Sequence, residues 1–462
     1  MAEKKLPKIF SIFPEVAPPV QKVVQFSQKL KWTLIVLVAF FVLGMIPLFG
    51  LGPNALQQFE YLSILLGAEF GSILSLGIGP IVTASIVLQL MVGAGLLKIN
   101  INDEEGRAYF ESMQKLLSVI FIILEAALYV YTGGLAPNVN VPNQGLMKLI
   151  LIFQLFLGGM LVLFMDDLST KWGFGSGISL FIAAGVSKSL FIALLSPLRS
   201  PTNPDAYIGA IPMFLKSLVV SDIQTASLMF LTIFFTFAVF AIAVYVQAMK
   251  VEIPLSFERV RGYGIRWPLN FIYTSNIPVI LVAALMANIQ LIARLLQNMG
   301  RPVLGTFVGN NPTTGLVAWI NAPNIMSKIV TGGLTWLDVA HALVFMLFMI
   351  GGSVLFSILW VQTSGMDARS QAEQILASGL QVSGFRRDER ILERILDRYI
   401  FPLTVMGAIT VGFIAAFADI SGALSRGTGI LLAVMIIYQF YERIAREHAM
   451  DMNPAVKKFI KG

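Results

Sequence analysis

Residues Glu60 to Gln89 read EYLSILLGAEFGSILSLGIGPIVTASIVLQ, an apolar stretch that fails as an ordinary membrane span. Tyr61 to Leu66 make only about two helical turns at ~1.5 Å per residue. Gly67, Gly71, Gly77 and Gly79 then interrupt the run, and Pro80 follows before a full span begins at Ile81. Broken backbone at membrane depth leaves N–H and C=O groups that hydrocarbon does not tolerate, so such a segment must pack on protein or line a watery cavity. Lys and Arg are absent between Lys31 and Lys98, so no positive anchor ties this piece to the cytosolic side. The reading is a short helix folded back into a membrane cavity, leading into a half-broken span.

The rest of the chain is a membrane protein. Of 462 residues 56% are hydrophobic and 13% charged, against roughly a quarter charged in soluble domains. Apolar runs of span length recur near 32–49, 81–97, 113–132, 147–165, 175–195, 223–247, 269–292, 338–360, 399–418 and 428–442, each near the ~20 residues a membrane requires. Cysteine is absent, which excludes disulfides, thiolate metal sites and cysteine nucleophiles. The charged lead before the first span and the lack of a small-residue cleavage site argue against a cleavable signal peptide. Val20, Val23 and Val24 suggest a short amphipathic helix within residues 1–30, lying on the inner membrane face.

Charge sets the orientation. The N-terminal side of the ten spans carries 24 of the 33 Lys and Arg residues, so both termini are expected in the cytosol. The halves also repeat. GSGISL from Gly175 opens the fifth span and GTGILL from Gly427 the tenth, while Pro80 and Pro278 fall in the second and seventh. Five spans per half inverts one half relative to the other, and inverted repeats with broken helices frame a central pathway. The fold class is therefore an all-α polytopic membrane protein, with ten transmembrane helices in two inverted five-helix halves and a re-entrant helix. Its divisions are residues 1–30, 31–199, 200–449 (with cytosolic loops 250–268 and 363–399) and the tail 450–462.

Three groups of residues carry candidate functions. Ile78 with Val82, and Ile178 with Ile182, are four apart and share a helical face. With Ile280 and Leu432 they read either as helix packing or as an apolar constriction that seals by dewetting. Thr83, Glu125 and Asn288 lie within the second, third and seventh spans, where an ionisable side chain is a functional candidate. Gln89 and Gln154 read as helix–helix hydrogen bonding, and Asp166–Asp167 as a solvated span end. The loop arginines Arg259, Arg261, Arg386 and Arg387 suit a phosphate-rich or acidic partner, whereas Glu393, Arg394, Asp397 and Arg398 read as a solvated helix face. No catalytic set, Walker loop or dinucleotide fingerprint emerges, and no cofactor is expected.

The segments LGIGPIVTASIVLQLMVG, KWGFGSGISLFIAAGVS, VEIPLSFERVRGYG, FIYTSNIPVILVAALMANIQL, SGFRRDER, RYIFPLTVMG and GTGILLAVMIIYQFYE closely resemble the SecY family, channel subunits of the Sec protein translocon, in its archaeal and eukaryotic branch. The likeness runs over nearly the whole chain. It implies a non-enzymatic channel that passes unfolded polypeptide across the cytoplasmic membrane and releases hydrophobic segments sideways into lipid. Carried over by motif, the pore ring is Ile78, Val82, Ile178, Ile182, Ile280 and Leu432, and the lateral gate holds Thr83, Glu125 and Asn288. A plug lies within about residues 55–70, including Tyr61, Leu62, Ile64, Leu65 and Leu66. Arg259, Arg261, Arg386 and Arg387 fall in the loops that bind the ribosome or another translocation partner. The implied partners are a SecE or gamma-type subunit, a small beta-type (or SecG-like) subunit, the ribosome, signal-bearing polypeptides and the bilayer. The competing class is a secondary transporter with five-plus-five repeats, which would need polar groups converging at the midplane. An intramembrane enzyme, lacking a nucleophile–base pair, is more distant.

Overall fold

A computed structural model describes residues 16–19, 24–52, 71–93, 96–97, 99, 104–131, 133–138, 140, 142–199, 205–257, 264–275, 277–298, 300–308, 311–377, 380–382, 388–424 and 427–452. In chain order the helices are α1 (Phe26–Gly44), α2 (Gly79–Gly93), α3 (Glu104–Tyr131), α4 (Gln144–Trp172), α5 (Gly177–Leu195), α6 (Ala210–Val219), α7 (Ile223–Ala248), α8 (Ile277–Asn298), α9 (Gly315–Trp319), α10 (Ile325–Val330), α11 (Trp336–Thr363), α12 (Ala368–Ala377), α13 (Glu389–Ile420) and α14 (Gly427–Met452). Among the described residues nine helical runs are long and apolar enough to cross a membrane, and Gly79–Val92 is a shorter apolar helix. That short helix is α2, and at ~1.5 Å per residue it falls short of a ~30 Å hydrocarbon layer.

The missing length is supplied by residues 71–78, which form consecutive turns. Their polar groups are satisfied locally, as a buried non-helical backbone requires. The Ser75 hydroxyl accepts from Gly71 N–H (2.9 Å) and donates to Ser72 O (2.5 Å), and Leu74 N–H donates to the Ser72 hydroxyl (3.1 Å). Leu48 N–H donates to Gly71 O (2.8 Å) and Ile73 N–H to Ile46 O (2.9 Å). Leu74, Leu76 and Ile78 are buried, and a Cβ on Gly158 of α4 would run into the Ile73 carbonyl. This part of the broken stretch is therefore packed on protein, as expected. The same contacts explain why the first span differs from the expected 32–49: α1 starts at Phe26 and stops at Gly44, because Ile46 and Leu48 pair with 71–73 instead of continuing the helix.

Two further boundaries differ. Pro80 and Pro278 are expected from hydropathy to break spans, but each sits at the second residue of its helix, where the missing N–H costs nothing. The seventh span therefore begins at Ile277 rather than near 269. The residues before it belong to a hairpin, not an open loop: β1 (Lys250–Phe257) pairs antiparallel with β2 (Gly264–Asn270). A second short hairpin joins β3 (Phe307–Val308) to β4 (Asn311–Pro312), and β5 (Leu380–Val382) adds to the other edge of β1. The loops between α7 and α8 and between α12 and α13 thus share one sheet. Of the expected N-terminal amphipathic helix, Val20 and Val23 lie outside the described residues, and Val24 is buried but not helical.

The bundle's two ends are distinguishable. Lys29 pairs with Glu447 (2.9 Å) and Lys250 with Glu442 (2.8 Å), so the starts of α1 and β1 and the end of α14 lie together. At the opposite end Leu51 bridges Pro137. On α13, Leu392, Leu396 and Ile400 are buried while Arg394, Asp397 and Arg398 are exposed, the solvated face expected of that segment, although Glu393, expected on it too, is half-buried.

Candidate functional site

The six aliphatic candidates meet. Ile78 (2% exposed), Ile182 (3%) and Leu432 (4%) belong to one buried apolar cluster, and Val82, Ile178 and Ile280 pack against it. They arrive from the lead-in and first turn of α2, from α5, from the first turns of α8 and from α14, so both halves contribute. Phe40 of α1 stacks on Phe181 of α5 (centroids 4.5 Å apart) and backs the cluster from behind. An apolar cluster of this kind holds no water favourably.

The polar candidates meet elsewhere, on a seam between halves. Thr83 (α2), Glu125 (α3) and Asn288 (α8) line one small cavity together with Gly79, Tyr129, Ala284, Ala287 and Leu291. Glu125 is 8% exposed and within side-chain hydrogen-bonding reach of Thr83. Across this seam α2 meets α8 and α11. Ile86 of α2 packs on the second-half core, while Ala287 and Leu291 of α8 pack on the first-half core. Tyr129, buried one turn beyond Glu125, is a member that sequence reasoning missed; its i+4 spacing from an intramembrane carboxyl was the available signal.

Other expectations are corrected. Asp166 and Asp167 are not a solvated span end. The Asp166 carboxylate accepts from Ile178 N–H (3.0 Å) and the Ser176 hydroxyl (3.4 Å). Asp167 accepts from Val16 N–H (2.9 Å) and pairs with Lys171 (3.0 Å) and Lys115 (3.4 Å). The cause is the tight turn 173–176, which returns α5 onto the end of α4. Neither glutamine is seen joining two spans: Gln89 donates to Ser85 of its own helix (3.0 Å), and Gln154 bonds the backbone N–H and C=O of Phe49 (2.9 and 3.2 Å). The plug candidates Tyr61, Leu62, Ile64, Leu65 and Leu66, and the arginines Arg259, Arg261, Arg386 and Arg387, lie outside the described residues. Among the described residues no group of three or more His, Asp or Glu side chains is placed to hold a metal ion.

The SecY family model matches residues 72–441. The chain belongs to the SecY family. It is 42% identical to protein translocase subunit SecY of Methanothermobacter thermautotrophicus over 462 residues, covering 99% of each chain. Against the same subunit of Pyrococcus horikoshii identity is 42% over 464 residues, with 97% of each chain covered. Among solved structures it matches one described as a protein conducting channel, with a TM-score of 0.82 and 40% identity, covering 98% of this chain and 99% of that one. It also matches Sec61 in the canine ribosome-channel complex from the endoplasmic reticulum, with a TM-score of 0.79, 39% identity and the same coverage. This SecY-family chain is thus a multi-pass membrane protein with the family's helical channel fold.

Proposed function

We propose that this SecY-family chain is the protein-conducting subunit of a translocon, with Ile78, Val82, Ile178, Ile182, Ile280 and Leu432 as its pore ring and the Thr83–Glu125–Asn288 seam as its lateral gate. The observation that carries the reading is the convergence of six aliphatic side chains from both halves on one apolar cluster. A solute transporter would converge polar groups there; here the polar groups lie on the seam. The ring closes around an unfolded chain, and the seam parts to release apolar segments into lipid. Residues 55–70 serve as the plug. The functional divisions remain 1–30, 31–199, 200–449 and 450–462, in a cytoplasmic membrane with both termini cytosolic. The partners are a SecE or gamma-type subunit, a small beta-type (or SecG-like) subunit, signal-bearing polypeptides and the ribosome. Arg259, Arg261, Arg386 and Arg387 dock the ribosome, an assignment favoured by the sheet that joins their two loops. The chain carries no catalytic step of its own. Reconstitution with its SecE-type subunit in liposomes tests this: a signal-bearing polypeptide becomes protease-protected inside. Protection no greater than in empty liposomes contradicts it.

A further inference from the structure

The ring residues of α5 are delivered by a turn whose polar groups are held from three other helices. In the segment Phe174–Ile178, Phe174 N–H donates to the Thr33 hydroxyl of α1 (3.2 Å), and the Ser169 hydroxyl of α4 donates to Gly175 O (2.8 Å). Asp166, also on α4, takes the Ser176 hydroxyl and Ile178 N–H. Arg443, on the far end of α14, donates through Nη1 to Phe174 O. Ile178, itself a ring member, is therefore the residue whose backbone N–H the Asp166 carboxylate grips. Arg443 shares its helix with Leu432, so its bond fixes one ring-bearing helix against another, across the two halves.

Two more observations bear on this. Gly175 has φ +147, and a Cβ there would overlap Arg443 Nη1, so the backbone is shaped to receive the guanidinium. The device also recurs at the other end of the repeat: Asp419 of α13 accepts from Thr428 N–H (3.4 Å) at the start of α14, as Asp166 of α4 does for α5.

We infer that Asp166 and Arg443 are positioning residues for the pore seal, acting through the 174–178 turn to set Ile178 and Ile182 against Leu432. The inference rests on the ring reading above. A loosened turn lets α5 shift relative to α14 and opens the aliphatic contact to water. Both halves must be held for a ring of short contacts to stay dry, and this turn ties the first half to α14 beside the ring, apart from the Lys29–Glu447 pair farther along α14.

The test uses the complete channel complex, with three readouts on Asp166→Ala, Asp166→Asn, Arg443→Ala, Arg443→Lys and, as a ring control, Ile178→Ser. Amide exchange over 174–180 should accelerate roughly ten-fold in the two alanine variants, the scale of one lost hydrogen bond. Resting ion conductance in planar bilayers should rise several-fold in the same variants. Asp166→Asn keeps an acceptor oxygen and Arg443→Lys keeps a donor, so both should restore most of each effect, with expression and thermal midpoint as in the parent. Unchanged exchange in both alanine variants overturns the inference, whatever the ring does. Faster exchange with parental conductance, while Ile178→Ser leaks, also overturns it and leaves the ring reading standing. A silent Ile178→Ser instead removes the ring reading, and the seal role of both residues with it.

Discussion

At the scale of single residues, the ring and the seam make separable demands. Ile178→Ser or Ile78→Ser places a hydroxyl in an aliphatic constriction, which hydrates it. Resting channels carrying either change should leak ions, measured as conductance in planar bilayers. Leu34→Ser and Val38→Ser, on the outward face of α1 (52% and 58% exposed), should not. The seam responds to polarity. Interhelical hydrogen bonds in membranes average only ~0.6 kcal/mol and rarely exceed ~1.7, so a gate on this seam would be lightly latched, and a few leucines of an inserting segment, at tenths of a kcal/mol each, would offset it. Asn288→Leu should lower the hydrophobicity threshold for inserting a graded Leu/Ala segment, because it removes the polar side chain that α8 contributes to the cavity shared with Thr83 and Glu125. An unchanged or higher threshold at normal expression would mean that packing of the new leucine outweighs the lost polar contact. Spacing of i,i+4 paired Ile78 with Val82 and Ile178 with Ile182, and a carboxyl in a span singled out Glu125. Packing and constriction read alike in sequence, however, and the ring and gate roles came from the family resemblance. The role of Asp166 was not legible. Its acceptor role exists only once the 173–176 turn brings Ile178 N–H back to it, and a carboxylate at a span end reads as solvated until that turn is known.

At the scale of elements, the broken stretch before α2 works only because α4 is notched. Gly158 meets the Ile73 carbonyl and Gly159 meets Ile122. Gly158→Ala should therefore cost about 1–3 kcal/mol by overpacking, read as a lower thermal unfolding midpoint in detergent. Gly351→Ala, with open space around its Cβ, should leave the midpoint unchanged. An equal effect of the two would show that the notch is not what seats the broken stretch. Long apolar helices are plain from the sequence, but their ends are set by partners that composition does not show. Pro80 and Pro278 look like interruptions in a hydropathy reading and act as starts in three dimensions. The β1–β2 hairpin passes for loop in the sequence although Val251, Ile253, Leu255 and Phe257 alternate with a period of two. Ile253 is buried and Glu252 exposed, as that period requires. The nearby arginines make charge the louder signal there and hide the strand.

At the scale of the whole molecule, two seams of unequal character join the halves. One is the contact of α5 with α14, continuous with the ring and tied at one end by Arg443. The other runs where α2 faces α8 and α11 and holds the polar cavity. A channel that releases segments sideways needs one seam to hold while the other parts, and on the proposed reading the α5–α14 contact holds while the polar seam parts. The Lys29–Glu447 pair puts the start of α1 and the end of α14 at one end of the bundle, and the Lys and Arg excess on that side predicts that it faces the cytosol. A single cysteine at Glu252 should react with an impermeant thiol reagent only from the cytosol, and one at Asn143 only from outside. The chain's own lack of cysteine leaves no background. The most direct measurement uses that property again. A translocating polypeptide is stalled with one cysteine midway, and disulfides are formed to single cysteines placed at Ile78, Ile182, Leu432 or Val38. A path through the ring predicts adducts at the three ring positions and none at Val38. Adducts at Val38 with none at the ring would contradict a path through the centre of the bundle.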